Sequence, residues 1–452
     1  MAELKKYPSR PTRREFLASA VTAMAFTYVP SHVLGQNGRA AASERPNIAG
    51  VGVGGKGFGD LESIEPYANI VALCDVDDRM AGKAFGRWPA AGRYKDYRVM
   101  LDKQPEIDAV IVATPDHTHA VISLEAMRRG KHVYTQKPLT HTVHEAQVLT
   151  QAAREHGVAT QMGNQGQAGE HTRRLREMIW DGVIGSIHEV HVWTDRPNKG
   201  LLGEYWPQGI ARPTQTPGVP SWLDWDLFIG PAPVRPYHPA YHPFKWRGWW
   251  DFGTGALGDI GCHALDPVFR ALKLKYPISV QAVSTRISNE TYPSGSIVTY
   301  EFPAREEIPP VTLKWYDGGL RPERPAELAK GLRLGTNGTL YVGEKGKLLG
   351  NTILPESLRR EYESPEPHLE RSPGHYEEWI EAIKGGKPAG SSFDWAGPLT
   401  ETVLLGNIAL RMDLREKLDR QILTWDAEQR RFSNLPEANA YLHKNYREGW
   451  SL

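Results

Sequence analysis

Asn47-Ile-Ala-Gly-Val-Gly-Val-Gly-Gly-Lys-Gly-Phe-Gly59 reads as a buried strand that breaks into a glycine-rich turn. Ile48 to Val51 is a short apolar run, Gly52-x-Gly54-x-x-Gly57 follows, and a helix-compatible segment opens at about Phe58. Gly52 suits a tight turn, Gly54 lets the backbone approach a pyrophosphate closely, and Gly57 lets the helix pack against the strand. The start of that helix presents free N–H groups and the positive end of its dipole to phosphate. A glycine fingerprint alone matches many turns by chance. Here Ile70-Val-Ala-Leu-Cys-Asp75 follows as a second strand, and Asp75 stands 18 residues beyond Gly57. A carboxylate at that place accepts hydrogen bonds from an adenosine ribose and repels a 2′-phosphate, which favours NAD over NADP. Arg79 keeps NADP open.

Outward from the fingerprint, residues 77–85 read as helix. Ile107-Asp-Ala-Val-Ile-Val-Ala113 reads as a central buried strand. It ends in Thr114-Pro-Asp-His-Thr-His119, at the carboxyl edge where open α/β sheets hold ligands, so Thr114, Pro115 and His119 are expected at the cofactor. A helix over 120–129 stops at Gly130. A strand over 132–135 leads to Gln136-Lys-Pro-Leu139, a helix over 143–156 stops at Gly157, and 158–162 is a further strand. Such alternation predicts a parallel sheet with right-handed crossovers, a dinucleotide-binding domain over 46–162.

The remainder, 163–452, reads as a second domain. Residues 185–194, 276–302, 310–316 and 338–343 alternate as strands of a half-covered sheet, and 373–385 and 394–414 carry helical spacing. Residues 195–250, rich in Gly, Pro and Trp, form a long ordered insertion. The chain from about Asp426 is a tail packed on the body.

Composition bounds the function. The chain has 452 residues, 40% of them hydrophobic, enough for two domains with their own cores. A formal net charge of +1 gives no footprint for nucleic acid or an anionic membrane. Two cysteines, Cys74 and Cys262, make no disulfide framework. Neither has a Cys or His neighbour at metal-ligand spacing, so no metal is expected. Of the 14 tryptophans, one or two are expected to stack on a sugar and the rest to lie in the core.

Thr12-Arg-Arg-Glu-Phe-Leu17 precedes an apolar, alanine-rich run over 18–29. Paired arginines before a modest apolar segment mark the twin-arginine export route, and the run is too short for a permanent membrane span. The expectation is a signal peptide over 1–35, a linker over 36–45, and a periplasmic protein with no integral membrane segment after signal removal. This route moves folded proteins, so a cofactor loaded in the cytoplasm travels in place and is tightly bound.

The fingerprint, Asp75, Ala113-Thr-Pro-Asp-His-Thr-His119, Gly130-Lys-His-Val-Tyr-Thr-Gln-Lys-Pro-Leu139 and Asp259-Ile-Gly-Cys-His263 together resemble the Gfo/Idh/MocA oxidoreductases from residue 46 onward. The resemblance implies an α/β fold: an N-terminal Rossmann dinucleotide-binding domain plus a C-terminal α/β domain with an open, mostly antiparallel sheet. That sheet would carry substrate on one face and homo-oligomer contacts on the other. Lys137 matches the family's Glu-Lys-Pro lysine, which lies beside the nicotinamide and the reacting hydroxyl. Gln136 departs from the family's glutamate and removes a negative charge beside Lys137.

Aspartate and histidine at i and i+4 share one helix face, so Asp259 and His263 point at one substrate. Imidazole suits removal of a hydroxyl proton as hydride leaves the same carbon. The resemblance makes His263 the candidate base and Asp259 its partner. Asn164, in Gly163-Asn-Gln-Gly-Gln167, is placed to contact nicotinamide or substrate. Trp246, Arg247 and Trp249 are placed to line the substrate side. The expected activity is hydride transfer between NAD(P) and a sugar or polyol. The alternative is a redox-neutral glycosidase that oxidises a sugar hydroxyl, eliminates the aglycone and returns the hydride. A non-catalytic sugar-binding protein is a third, weaker reading.

Overall fold

The computed structural model describes residues 44–199, 203–285, 288–364, 366–413 and 422–452, so the expected signal peptide lies outside the described residues. The first sheet is built from β1 Asn47–Val51, β2 Asn69–Cys74, β3 Gly92–Tyr94, β4 Ala109–Val112, β5 His132–Thr135 and β6 Thr160–Met162. All pair in parallel, in the order β3-β2-β1-β4-β5-β6. Successive side chains go to opposite faces, and both faces are covered. Ile48, Ala109 and Ile111 pack with the helices Lys56–Ile64 and Asp78–Arg87. Ala49, Val110 and Val112 pack with Tyr97–Lys103, His119–Arg128 and Val143–His156. Double burial is why β1 and β4 read as unbroken apolar runs. The order reverses between β1 and β4, and the crevice beyond their carboxyl ends is where the site lies.

Local signals set the helix ends. Asp77 caps Asp78–Arg87 by accepting from the amides of Arg79 and Met80. Thr142 and Glu145 form a capping box on Val143–His156, and Gly157 closes it in the left-handed region.

The second sheet has nine strands in the order β13-β12-β11-β7-β10-β9-β8-β14-β15. They are β7 Ile187–Trp193, β8 Ser279–Ser284, β9 Ser296–Phe302, β10 Val311–Tyr316, β11 Gly338–Gly343, β12 Lys347–Leu349, β13 Thr352–Leu354, β14 Leu423–Asp426 and β15 Arg431–Phe432. Only the β7–β10 pair among them is parallel. On β9, Val298, Tyr300 and Phe302 face the helices Gly255–Leu272 and Phe393–Asp413, while Ile297, Thr299 and Glu301 alternate to the half-buried outer side.

The sequence division at 162 does not enclose everything that packs on the first sheet. Trp379 and Ile380, on the helix His375–Ile383, share a core with Tyr134 and Ile111, and Phe393–Asp413 lies along Val143–His156. The β5–β6 side of a parallel sheet needs a cover on both faces, and the returning chain supplies it. Residues from Pro46 onward therefore form one unit. No helix of the described residues is long and apolar enough to cross a membrane.

Candidate active site

The fingerprint glycines each meet a steric demand. Gly52 has φ 79°, and a Cβ there would lie 2.7 Å from the Ala113 main chain. At Gly57 a Cβ would lie 1.9 Å from the Gly52 carbonyl oxygen, so helix and strand touch. The helix begins at Lys56, and no side chain caps its first turn, which leaves main-chain amides for an anionic group. The Asp75 carboxylate accepts from the Gly54 amide at 3.1 Å and the Asp77 amide at 3.0 Å. Burial pushes its pKa up to about 6 against those two hydrogen bonds. A glycine cradle, an uncapped helix start and a facing carboxylate fit a dinucleotide. Arg79 lies 3.2 Å over the Trp222 ring and does not line the crevice.

A cavity of about 490 Å³ runs from this loop to the helix Gly255–Leu272. Gly52, Gly54, Asp75, Thr114 and Pro115 line it on the nucleotide side. Lys137, Asp259, His263, Trp246 and Arg247 line it on the other. Gly255–Leu272 buries Leu257, Cys262, Leu265 and Phe269, and turns Asp259 and His263 to the cavity.

Lys137, at the end of β5, donates to Asp259 Oδ1 at 2.7 Å and to the Asp259 carbonyl at 2.5 Å. Arg247 donates to the same Oδ1 at 3.1 Å. Burial pushes the Asp259 carboxyl up, but the two cations outweigh it and hold it well below the carboxylate range. Asp259 is thus the partner of Lys137 and Arg247, and not of His263 as the resemblance implied. Among the described residues the His263 ring makes no hydrogen bond; burial, then the Lys137 charge, lower its pKa to about 3. It faces the cavity as a neutral imidazole.

Three residues expected at the site are elsewhere. His119 is buried, its ring nitrogens facing the Pro138 carbonyl at 2.8 Å and the Thr114 carbonyl at 2.9 Å. It braces the two strand-end loops and does not line the cavity. Asn164 is buried beneath the site and donates to the Cys262 carbonyl at 3.1 Å. Trp249 is a core residue: it is 0% exposed, and its indole donates to the Ala240 carbonyl at 2.9 Å.

The structure adds Asp116, which lies within the Thr114–His119 stretch. It is buried on the cavity wall and accepts from the Thr254 hydroxyl at 2.5 Å. Burial pushes its pKa up to about 7, against the Thr254 hydrogen bond and the Arg247 and Lys137 charges. Its strand-end position was a usable signal; its burial was not. Trp206 from the insertion and Trp450 from the tail also line the cavity. Nothing in the local sequence pattern ties either to the crevice.

Residues 45–164 match the model of an oxidoreductase family with an NAD-binding Rossmann fold, and residues 169–303 match that family's C-terminal alpha/beta domain. The chain belongs to the Gfo/Idh/MocA oxidoreductase family. A levoglucosan dehydrogenase of Pseudarthrobacter phenanthrenivorans is 24% identical over 231 residues, 51% of this chain and 48% of that protein. A glycosyl hydrolase family 109 protein of Akkermansia muciniphila is 29% identical over 157 residues, 32% of each. The chain spans about half or less of the curated relatives it matches. The WlbA dehydrogenase structure from Bordetella pertussis, in complex with NADH and UDP-GlcNAcA, has a TM-score of 0.56 at 19% identity, covering 82% of this chain and 97% of that one. That likeness is one of fold.

Gln136, where the resemblance implied a glutamate, donates through its amide to Asp60 Oδ2 at 2.7 Å. Asp60 is fully buried and also accepts from Lys56 and from the Tyr376 hydroxyl at 2.6 Å. A glutamate at 136 would set a second carboxylate against it. The negative charge beside Lys137 comes from Asp259 instead.

Proposed function

We propose that this protein transfers hydride between bound NAD and a hydroxyl-bearing carbon of a sugar or polyol. The observation that carries the reading is one cavity holding a glycine cradle at one end and, at the other, an ammonium and a neutral imidazole from different parts of the fold. The main-chain amides of the Gly52–Gly57 loop bind the pyrophosphate, and Asp75 accepts from the ribose hydroxyls. When bound, NAD supplies a hydride acceptor at its nicotinamide ring. Lys137 donates to the substrate oxygen, its ammonium held in place by Asp259. His263, neutral and unpaired among the described residues, takes the hydroxyl proton as the C–H bond breaks. Trp246 offers a flat apolar face for the substrate ring.

The arginine pair at 13–14 and the apolar run after it support twin-arginine export to the periplasm with the nucleotide already bound. The alternating outer face of the nine-stranded sheet supports homo-oligomer contacts. Captive NAD gives a second reading weight, that of a redox-neutral glycosidase, and the likeness to the family 109 glycosyl hydrolase supports it.

Purified protein, with no NAD added, is incubated with aryl glycosides and with free sugars. Net carbonyl product or reduced nucleotide supports the dehydrogenase. Aglycone release over many turnovers supports the glycosidase. Neither product from any sugar would overturn both.

A further inference from the structure

A second cavity, of about 300 Å³, lies behind the segment that opens the Gly255–Leu272 helix. Arg411, near the end of Phe393–Asp413, lines it with its guanidinium 3.8 Å over the Trp250 ring. Among the described residues this guanidinium has no ion pair and no hydrogen bond. The charges nearest it have their own direct partners, Glu290 lying against Arg212 and Arg235. Lys444 lies 2.7 Å from Glu145, Asp251 is bound by Arg235, and burial holds His141 neutral. Arg411 is left without a direct partner on this wall, Asp251 and Glu290 acting on it only through space.

The second observation is Asn407, 6% exposed and lining the same cavity. Its amide N–H donates to the Thr254 carbonyl at 2.9 Å, which fixes the side chain's orientation. Its Oδ1 then has no donor among the described residues. An orphaned acceptor beside an unpaired guanidinium calls for a ligand that brings a negative charge and a hydroxyl together. The volume suits a small molecule.

We propose that this cavity is a second ligand site, separate from the hydride-transfer crevice, for a small hydroxylated carboxylate. The carboxylate pairs with Arg411, a hydroxyl donates to Asn407 Oδ1, and the carbon chain lies against Trp250. The two cavities are one residue apart at Thr254, whose carbonyl accepts from Asn407 on this side and whose hydroxyl donates to Asp116 on the other.

The test is calorimetric titration of the nucleotide-loaded protein with lactate, and with lactamide as the uncharged control. Wild type is expected to bind lactate and not lactamide. Lys137→Ala, altered only in the first cavity, is expected to bind lactate as wild type does. Arg411→Met is expected to weaken binding by about tenfold or more, the loss of a charge-assisted pair. If Arg411→Met does not fold, the wild-type comparison of lactate with lactamide and the Lys137→Ala titration still decide. Lactate binding no better than lactamide overturns the proposal. So does binding lost in Lys137→Ala, or binding undiminished in a folded Arg411→Met.

Discussion

Lys137 and Asp259 lie 122 residues apart in the chain and meet twice, the ammonium donating to both the carboxylate and the main-chain carbonyl of the same aspartate. This double contact joins the end of β5 to the helix that carries His263. It also places a fixed positive charge beside an imidazole whose pKa burial already lowers.

Lys137→Met should therefore act on His263 as well as on turnover. Burial comes first in lowering the imidazole pKa to about 3, and the Lys137 charge comes next. Removing that charge moves the pKa up toward its ordinary 6.5, read by NMR titration of the ring protons. Turnover falls by about a hundredfold or more, as for loss of a fixed donor at the reacting oxygen. The nucleotide content of the purified variant stays as in wild type.

Two glycine substitutions on one helix, Lys56–Ile64, should part company. Gly57→Ala puts a Cβ 1.9 Å from a main-chain oxygen that cannot swing aside, so the variant is expected to lose bound nucleotide and melt lower. Gly59→Ala meets nothing within 4 Å and is expected to keep its nucleotide, with a gain of about 0.5–1 kcal/mol from helix propensity. Nucleotide released on denaturation and a thermal melt measure both.

Gln136→Glu restores the residue the family has and should harm this protein. It removes the donor to Asp60, whose carboxyl burial already pushes up, and sets two acids together. A loss of about 1–3 kcal/mol is expected at neutral pH. The loss shrinks as pH falls, since one proton shared by the pair relieves the repulsion. Thermal melts across a pH series check this.

Asp116 gives a stability signature of the opposite slope. Its folded pKa of about 7 exceeds its ordinary 3.8, so the native state holds a proton that the unfolded chain has released. Its contribution is fully present below pH 3.8 and is lost as pH rises to about 7. Asp116→Asn has no such loss. Its stability relative to wild type should rise across that window and level off above it, as denaturant titrations at several pH values would show.

The residues readable in advance are those whose partners lie one strand or one helical turn away. Gly52, Gly54 and Asp75 belong to one strand–turn–helix unit, and the i, i+4 spacing of Asp259 and His263 sets their shared face. The spacing does not say which neighbour a side chain will choose, and Asp259 chose two cations over the imidazole. His119 stands at the right strand end, yet its ring turns inward because two loop carbonyls lie within hydrogen-bond reach. Trp246 and Trp249 sit three residues apart; one lines the cavity and the other is core. Only the fold of the insertion separates them. Trp450 reaches the crevice from the far end of the chain, 6.5 Å from Tyr97 between ring centres, by a path no local pattern encodes.

The central claim is that hydride moves from a sugar carbon to a nucleotide held in the first cavity. The direct measurement is to incubate the purified protein with sugars and glycosides deuterated at carbon, denature it, and weigh the released nucleotide by mass spectrometry. The account predicts NADH, the reduced nucleotide, carrying one deuterium with at least one of these compounds, and none in the His263→Ala variant. A released nucleotide that stays unlabelled with every sugar, or a protein that releases no nucleotide and binds none, would contradict it.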